Sequence, residues 1–96
     1  MSQIRMYSTQ ICPYCIRAER LLHKKGVQVH KILVDRNPKE MNTMIEITGR
    51  RTVPQIFIGD RHVGGYDDLV ELDMEGELDP LLYSQAESSR NPVIDN

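Results

Sequence analysis

Apolar and polar positions along the chain change period several times, and each change marks an element. Ile4 to Ser8 is short, apolar and imperfectly alternating, as expected of a first strand. From Pro13 to Lys25, Cys15, Ala18, Leu21 and Leu22 fall at helical spacing. Arg17, Glu19, Arg20, Lys24 and Lys25 occupy the other faces, and Gly26 supplies a stop. Val27 to Val34 is rich in β-branched residues and changes phase at Lys31, which predicts either a bulge or a strand that becomes buried on both faces. Asn37-Pro38-Lys39-Glu40 carries a cap residue, a first-turn proline and a glutamate three residues after the cap. Met41, Met44, Ile45 and Thr48 then form an inner helical stripe, and Gly49 ends it. Strand, helix, strand, helix predicts a parallel pair with a right-handed crossover.

The second half reads differently. Gln55-Ile56-Phe57-Ile58, Gly59-Asp60 and His62-Val63 form a hairpin signal. Gly64-Gly65 breaks the strand, and Asp67 or Asp68 is a candidate cap for a third helix running to about Met74, with Leu69, Val70 and Leu72 on its inner side. Leu78 to Leu82 predicts one more short packing turn. Residues 84–96 are polar and aperiodic, so the expected division is a domain over 1–83 and a C-terminal tail over 84–96.

At 96 residues there is room for one small core. A hydrophobic content of 40% and a charged content of 27% are those of an ordinary globular domain, and no apolar run approaches the roughly 18 residues of a membrane span. Met1-Ser2-Gln3 leads directly into the first strand pattern without a secretory signal, so a cytoplasmic, reducing setting is expected. The net charge of −2 conceals an asymmetry: residues 1–51 carry ten Lys/Arg against four Asp/Glu, and residues 52–96 two against ten. Arg17, Arg20, Arg50 and Arg51 would give the cysteine end a positive field that favours thiolate and anionic substrates. Overall acidity and a basic half without interleaved aromatics argue against nucleic-acid binding.

Both cysteines lie in Cys12-Pro13-Tyr14-Cys15. A C-x-x-C beside a βαβ pattern reads as a thiol–disulfide redox centre. Pro13 has no N–H to lose and suits the first helical position, so Cys12 falls at the N-cap, facing unpaired backbone N–H groups and the positive end of the helix dipole. Both stabilise thiolate over thiol. Cys15, most of a turn inside, is expected to be the less exposed partner: Cys12 attacks and Cys15 resolves. A zinc site would want four ligands, and neither a second cysteine pair nor a histidine pair at ligand spacing is present. His23 is expected in solvent, with His30 and His62 pointing outward from strands, and Met41 and Met44 are core fillers. No metal is expected.

Three stretches in order, Cys12-Pro13-Tyr14-Cys15, Thr52-Val53-Pro54 and Gly64-Gly65-Tyr66-Asp67-Asp68, make residues 4 to 82 resemble a dithiol glutaredoxin of the small bacterial type. The resemblance implies an α/β, thioredoxin-like fold: a four-stranded mixed sheet in the order 2-1-3-4, flanked by helices on both faces. It implies glutathione as co-substrate, and a glutathione-dependent oxidoreductase that reduces protein–glutathione mixed disulfides and protein disulfides through Cys12 and Cys15. Glutathione would be regenerated by a glutathione reductase system. The resemblance also implies a cis Val53–Pro54 bond, with the Val53 backbone pairing with the cysteinyl part of glutathione. Gly65, Tyr66, Asp67 and Asp68 would clamp the γ-glutamyl end, and Tyr14 would border the groove beside the sulfur. Many relatives carry a lysine three residues before the first cysteine. Here that position is Thr9, and Arg51, next to Thr52, is expected to substitute for it. A monomer with no membrane or nucleic-acid partner is expected.

Overall fold

In a computed structural model, residues 3–83 are described; the tail expected over 84–96 lies outside them. The elements are β1 (Ile4–Ser8), α1 (Pro13–Lys24), β2 (Val29–Leu33), α2 (Pro38–Thr48), β3 (Gln55–Ile58), β4 (Arg61–Gly64) and α3 (Tyr66–Met74). A last helical segment covers 78–83. The four strands form one sheet in the order β2-β1-β3-β4. β1 pairs with β2 in parallel and with β3 antiparallel, and β3 pairs antiparallel with β4.

Strand alternation divides the interior in two. Ile4 and Met6 of β1 and Ile56 and Ile58 of β3 point to one face, where they meet Cys15, Ala18 and Leu22 of α1, Leu69 of α3, and Leu78 and Leu82. Tyr7 and Phe57 point to the other and pack against Val34 and Met44. Leu22, Met44, Ile56, Ile58 and Leu69 are fully buried. Each contributes roughly 1.5–3 kcal/mol of apolar burial. β3, central and covered on both sides, is buried at all four positions.

The phase change at Lys31 has neither of its expected causes. β2 pairs with β1 one-to-one from Ile4↔Val29 to Ser8↔Leu33, so it holds no bulge. It is also an edge strand with Ile32 and Leu33 only half-buried. The irregularity lies instead between Ile56 and Phe57, in the pairing of β3 with β4. Pro38 does open α2, but the Asn37 side chain makes no capping bond. Gly49 closes α2 in a left-handed conformation, φ +71°, that L side chains rarely adopt.

Lys25 caps α1 and is not simply a solvated face residue. Its ammonium bonds Asp73 of α3 and Asp79 of the last helical segment, each at 2.7 Å, and these hydrogen bonds push its pKa up. The Tyr83 hydroxyl donates to the Lys25 carbonyl. One residue thus ties α1 to the end of the described chain.

Candidate active site

The redox pair follows from the way α1 begins. Cys12 has the extended backbone of an N-cap (φ −148°, ψ 99°) and Pro13 occupies the first turn. The Cys15 N–H donates to the Cys12 sulfur at 3.1 Å, so a backbone dipole is aimed at the atom that must carry negative charge after reduction. Cys12 and Cys15 form a disulfide. Their exposures, 8% and 3%, follow the expected order.

Tyr14 is half-exposed between the cysteines. Its ring sits 6.0 Å from that of Tyr66 at the start of α3, and the Arg17 guanidinium lies 5.4 Å above it. Beside it runs an open groove of about 280 Å³ lined by Tyr14, Arg50, Thr52 to Gln55, and Gly65 to Asp68. Small-ligand sites run from roughly 300 to 1,000 Å³, so the groove suits a short peptide better than a large cofactor. The Val53–Pro54 bond is cis, as expected. Among the described residues, no group of three or more His, Cys, Asp or Glu could hold a metal ion.

The third helix is capped differently from expectation. Its N-cap is Gly65, while Asp68, three positions on, accepts from the Gly65 N–H at 2.8 Å through its carboxylate. The same oxygen accepts from Arg50 at 3.2 Å. The Gly65 hydrogen bond, the largest effect, holds the Asp68 carboxyl below the usual carboxylate range; burial opposes it, and the Arg50 hydrogen bond and charge add to the lowering. A group with a depressed folded pKa contributes stability that is complete above its unfolded value and is lost as pH falls through the folded one. Asp68→Asn is therefore expected to lower the melting temperature at pH 7. The gap between variant and wild type should narrow below about pH 4, where the unfolded carboxylate protonates. Thermal melts at pH 7 and pH 3 check this; a gap that is equal at both would remove Asp68 from the acid limb.

Of the residues anticipated for the groove, Tyr14, Thr52, Val53, Pro54, Gly65, Tyr66, Asp67 and Asp68 all line it. Arg51 is exposed and outside that lining; the arginine in the groove is Arg50. Thr9 belongs to a local turn, its hydroxyl 3.4 Å from the Ile11 carbonyl. Sequence reasoning gave Arg50 only a share in the positive field at the cysteine end, not a place in the groove, and passed over Gln55. A signal existed for both: in an extended segment residues two apart share a side, which groups Arg50 with Thr52. Gln55 is the polar residue of an otherwise apolar strand. His62, expected to point outward, is half-buried and hydrogen-bonded to Gln55.

Residues 4–63 match the family model described as Glutaredoxin. Glutaredoxin 3 of Escherichia coli (strain K12) is 49% identical over 82 residues, 85% of this chain and 99% of that one. Glutaredoxin of Neisseria meningitidis serogroup A is 49% identical over 83 residues, 85% and 98% of the two chains. Among solved structures, the buckwheat glutaredoxin–glutathione complex superposes with a TM-score of 0.82 at 31% identity, covering 88% of this chain and 80% of that one. The solution structure of glutaredoxin from Brucella melitensis does so with 0.78 at 46% identity, covering 88% and 92%.

Proposed function

The chain belongs to the glutaredoxin family of thiol oxidoreductases, with the thioredoxin-like fold and the cysteine pair of that family, and on that premise we propose that it reduces glutathione mixed disulfides and protein disulfides at the expense of glutathione. The observation that carries the reading is the groove beside Cys12-Pro13-Tyr14-Cys15, with a cation at Arg50 and carboxylates at Asp67 and Asp68. In that pattern Arg50 can meet a carboxylate and an aspartate a free ammonium, both of which a zwitterionic peptide carries. The buckwheat neighbour is itself a glutathione complex.

In this reading the Cys12 thiolate attacks the glutathionyl sulfur of a mixed disulfide, and the substrate leaves as a thiolate. A second glutathione thiolate attacks the glutathionyl sulfur on Cys12, releases glutathione disulfide and restores the Cys12 thiolate. With a protein disulfide, the Cys12 thiolate attacks one substrate sulfur, breaking the substrate disulfide and releasing its other sulfur as a thiolate. The Cys15 thiolate then attacks the Cys12 sulfur, the substrate sulfur bonded to it leaves as the second thiolate, and the Cys12–Cys15 disulfide remains for glutathione to reduce. The rate depends on thiolate fraction, nucleophilicity and access.

Within the groove, Thr52, Val53 and Pro54 supply the wall along the sulfur, and Gly65 to Asp68 the γ-glutamyl end. Arg50 and Asp68 are about half-exposed, and a surface pair of this kind is worth only ~0–1 kcal/mol. Arg50 is therefore available to an incoming carboxylate and takes the part expected of Arg51. No helix among the described residues is long and apolar enough to cross a membrane. Monomeric function in a reducing cytoplasm fits the chemistry.

The test is NADPH consumption with glutathione, glutathione reductase and a glutathionylated peptide. Saturable turnover is expected, with much slower turnover when thioredoxin reductase replaces the glutathione couple. The reverse preference would overturn the glutathione reading.

A further inference from the structure

Gln55 opens β3 immediately after Pro54, and its side chain is fully buried. A buried carboxamide has to find partners for both its ends. Its nitrogen donates to the Thr52 carbonyl at 3.1 Å and to the Thr52 hydroxyl oxygen at 3.3 Å. A carbonyl only accepts, so the amide nitrogen must lie on that side and Oε1 on the other. Oε1 stands 2.7 Å from His62 Nε2, which must therefore carry a hydrogen. The imidazole stacks on Phe57, with ring centres 4.9 Å apart, and the Arg5 guanidinium lies 4.9 Å from the same Phe57 ring. Arg50 and Asp68 are the charges that face His62. Burial and then Arg50 push its pKa down against the pull of Asp68, so the neutral Nε2–H tautomer is the working form at neutral pH.

A continuous chain of donors thus runs from the edge strand β4, through the buried carboxamide on β3, to the wall of the groove. We propose that His62 and Gln55 are positioning residues: His62 donates to Gln55, and Gln55 holds the Thr52 carbonyl and hydroxyl, fixing the peptide segment that presents Thr52 and Val53 to the bound glutathionyl group. The inference rests on the glutathione reading of the groove and extends it to His62, which does not line the groove. The geometry separates this role from packing. The stack on Phe57 needs only an aromatic ring, whereas the link to Gln55 needs an N–H at the Nε2 position.

His62→Phe keeps the ring and removes the donor. His62→Gln loses the ring and returns an amide donor on a side chain of similar reach. In the glutathione reductase–coupled assay, His62→Phe is expected to raise KM for the glutathionylated peptide about fivefold, the size of one net hydrogen bond, with a smaller change in kcat. His62→Gln is expected to stay within about twofold of wild type, since the donor is retained. Gln55→Met, which keeps much of the buried volume and removes the whole link, should show a KM rise at least as large as that of His62→Phe. Reduction of the Cys12–Cys15 disulfide by dithiothreitol, which needs no groove, should run at the wild-type rate in His62→Phe. A wild-type KM in either His62→Phe or Gln55→Met overturns the proposal, as does a His62→Gln variant as impaired as His62→Phe. If wild type itself shows no saturation with the glutathionylated peptide, the glutathione reading of the groove fails instead.

Discussion

Cys12→Ser is expected to reduce turnover of a glutathionylated peptide to the uncatalysed background, while Cys15→Ser retains most of it. The asymmetry follows from the first turn of α1. Cys12 is the N-cap, its sulfur accepting the Cys15 N–H at 3.1 Å, so its thiolate is held by a backbone dipole that a serine hydroxyl cannot exploit as a nucleophile. Cys15 lies deeper, at 3% exposure, and contributes its N–H from the main chain, which Cys15→Ser leaves in place. Its thiol is needed only where no second glutathione resolves the mixed disulfide. Cys15→Ser should therefore fail at reducing a protein disulfide while still deglutathionylating. Steady-state rates on one glutathionylated peptide and one disulfide-bonded protein, measured for both variants, check this. Activity of Cys12→Ser on the peptide, or loss of both activities in Cys15→Ser, would mean that the two thiols have other roles.

How much of this site could be read from the chain alone depends on how local the cause of each feature is. The N-cap at Cys12, the proline at the first turn of α1 and the stop at Gly49 are set within four or five residues, and all three hold in the fold. The sheet order was implied by family resemblance, and the burial of Ile56 and Phe57 on opposite faces agrees with the inner place of β3 beside β1. Features that depend on where the chain points after a break were harder to read. Two adjacent arginines follow Gly49, and which of them faces the groove is decided by the path of the chain after that left-handed residue. Arg50 does, and Arg51 does not. The irregular pairing of β3 with β4 was equally hidden, because it is a property of two strands and neither shows it by itself. It also bears on His62: the register places His62 opposite Phe57, on the face that carries Gln55, where alternation alone had left it in solvent. Asp67 and Asp68 were both reasonable caps for α3. Gly65 takes the position because the helix begins at Tyr66, ahead of both, and Asp68 closes the turn from inside the helix.

That turn carries the other large expected effect. Gly64→Ala is expected to destabilise the protein by about 2–4 kcal/mol, combining a strained backbone with the loss of a helix cap. Gly64 has φ +115°, outside the range an L side chain adopts comfortably, and a Cβ built there runs into the Asp68 carboxylate. The collision cannot be relieved locally at no cost, because that carboxylate holds the Gly65 N–H at 2.8 Å and Arg50 at 3.2 Å. Moving it opens the start of α3 and shifts two walls of the groove together, so KM for the glutathionylated peptide should rise along with the loss of stability. Gly65→Ala gives the contrast. Its φ of −92° is ordinary, and a Cβ there would meet only the Pro54 carbonyl at 3.5 Å and the Asp68 carboxylate at 3.9 Å, both normal contacts. Urea denaturation of the two variants, with KM measured on each, separates the causes. A stability loss in Gly64→Ala no greater than in Gly65→Ala would show that neither the backbone conformation at 64 nor the place of Asp68 matters as argued. A stability loss without a KM change would keep the strain at Gly64 and disconnect it from the groove.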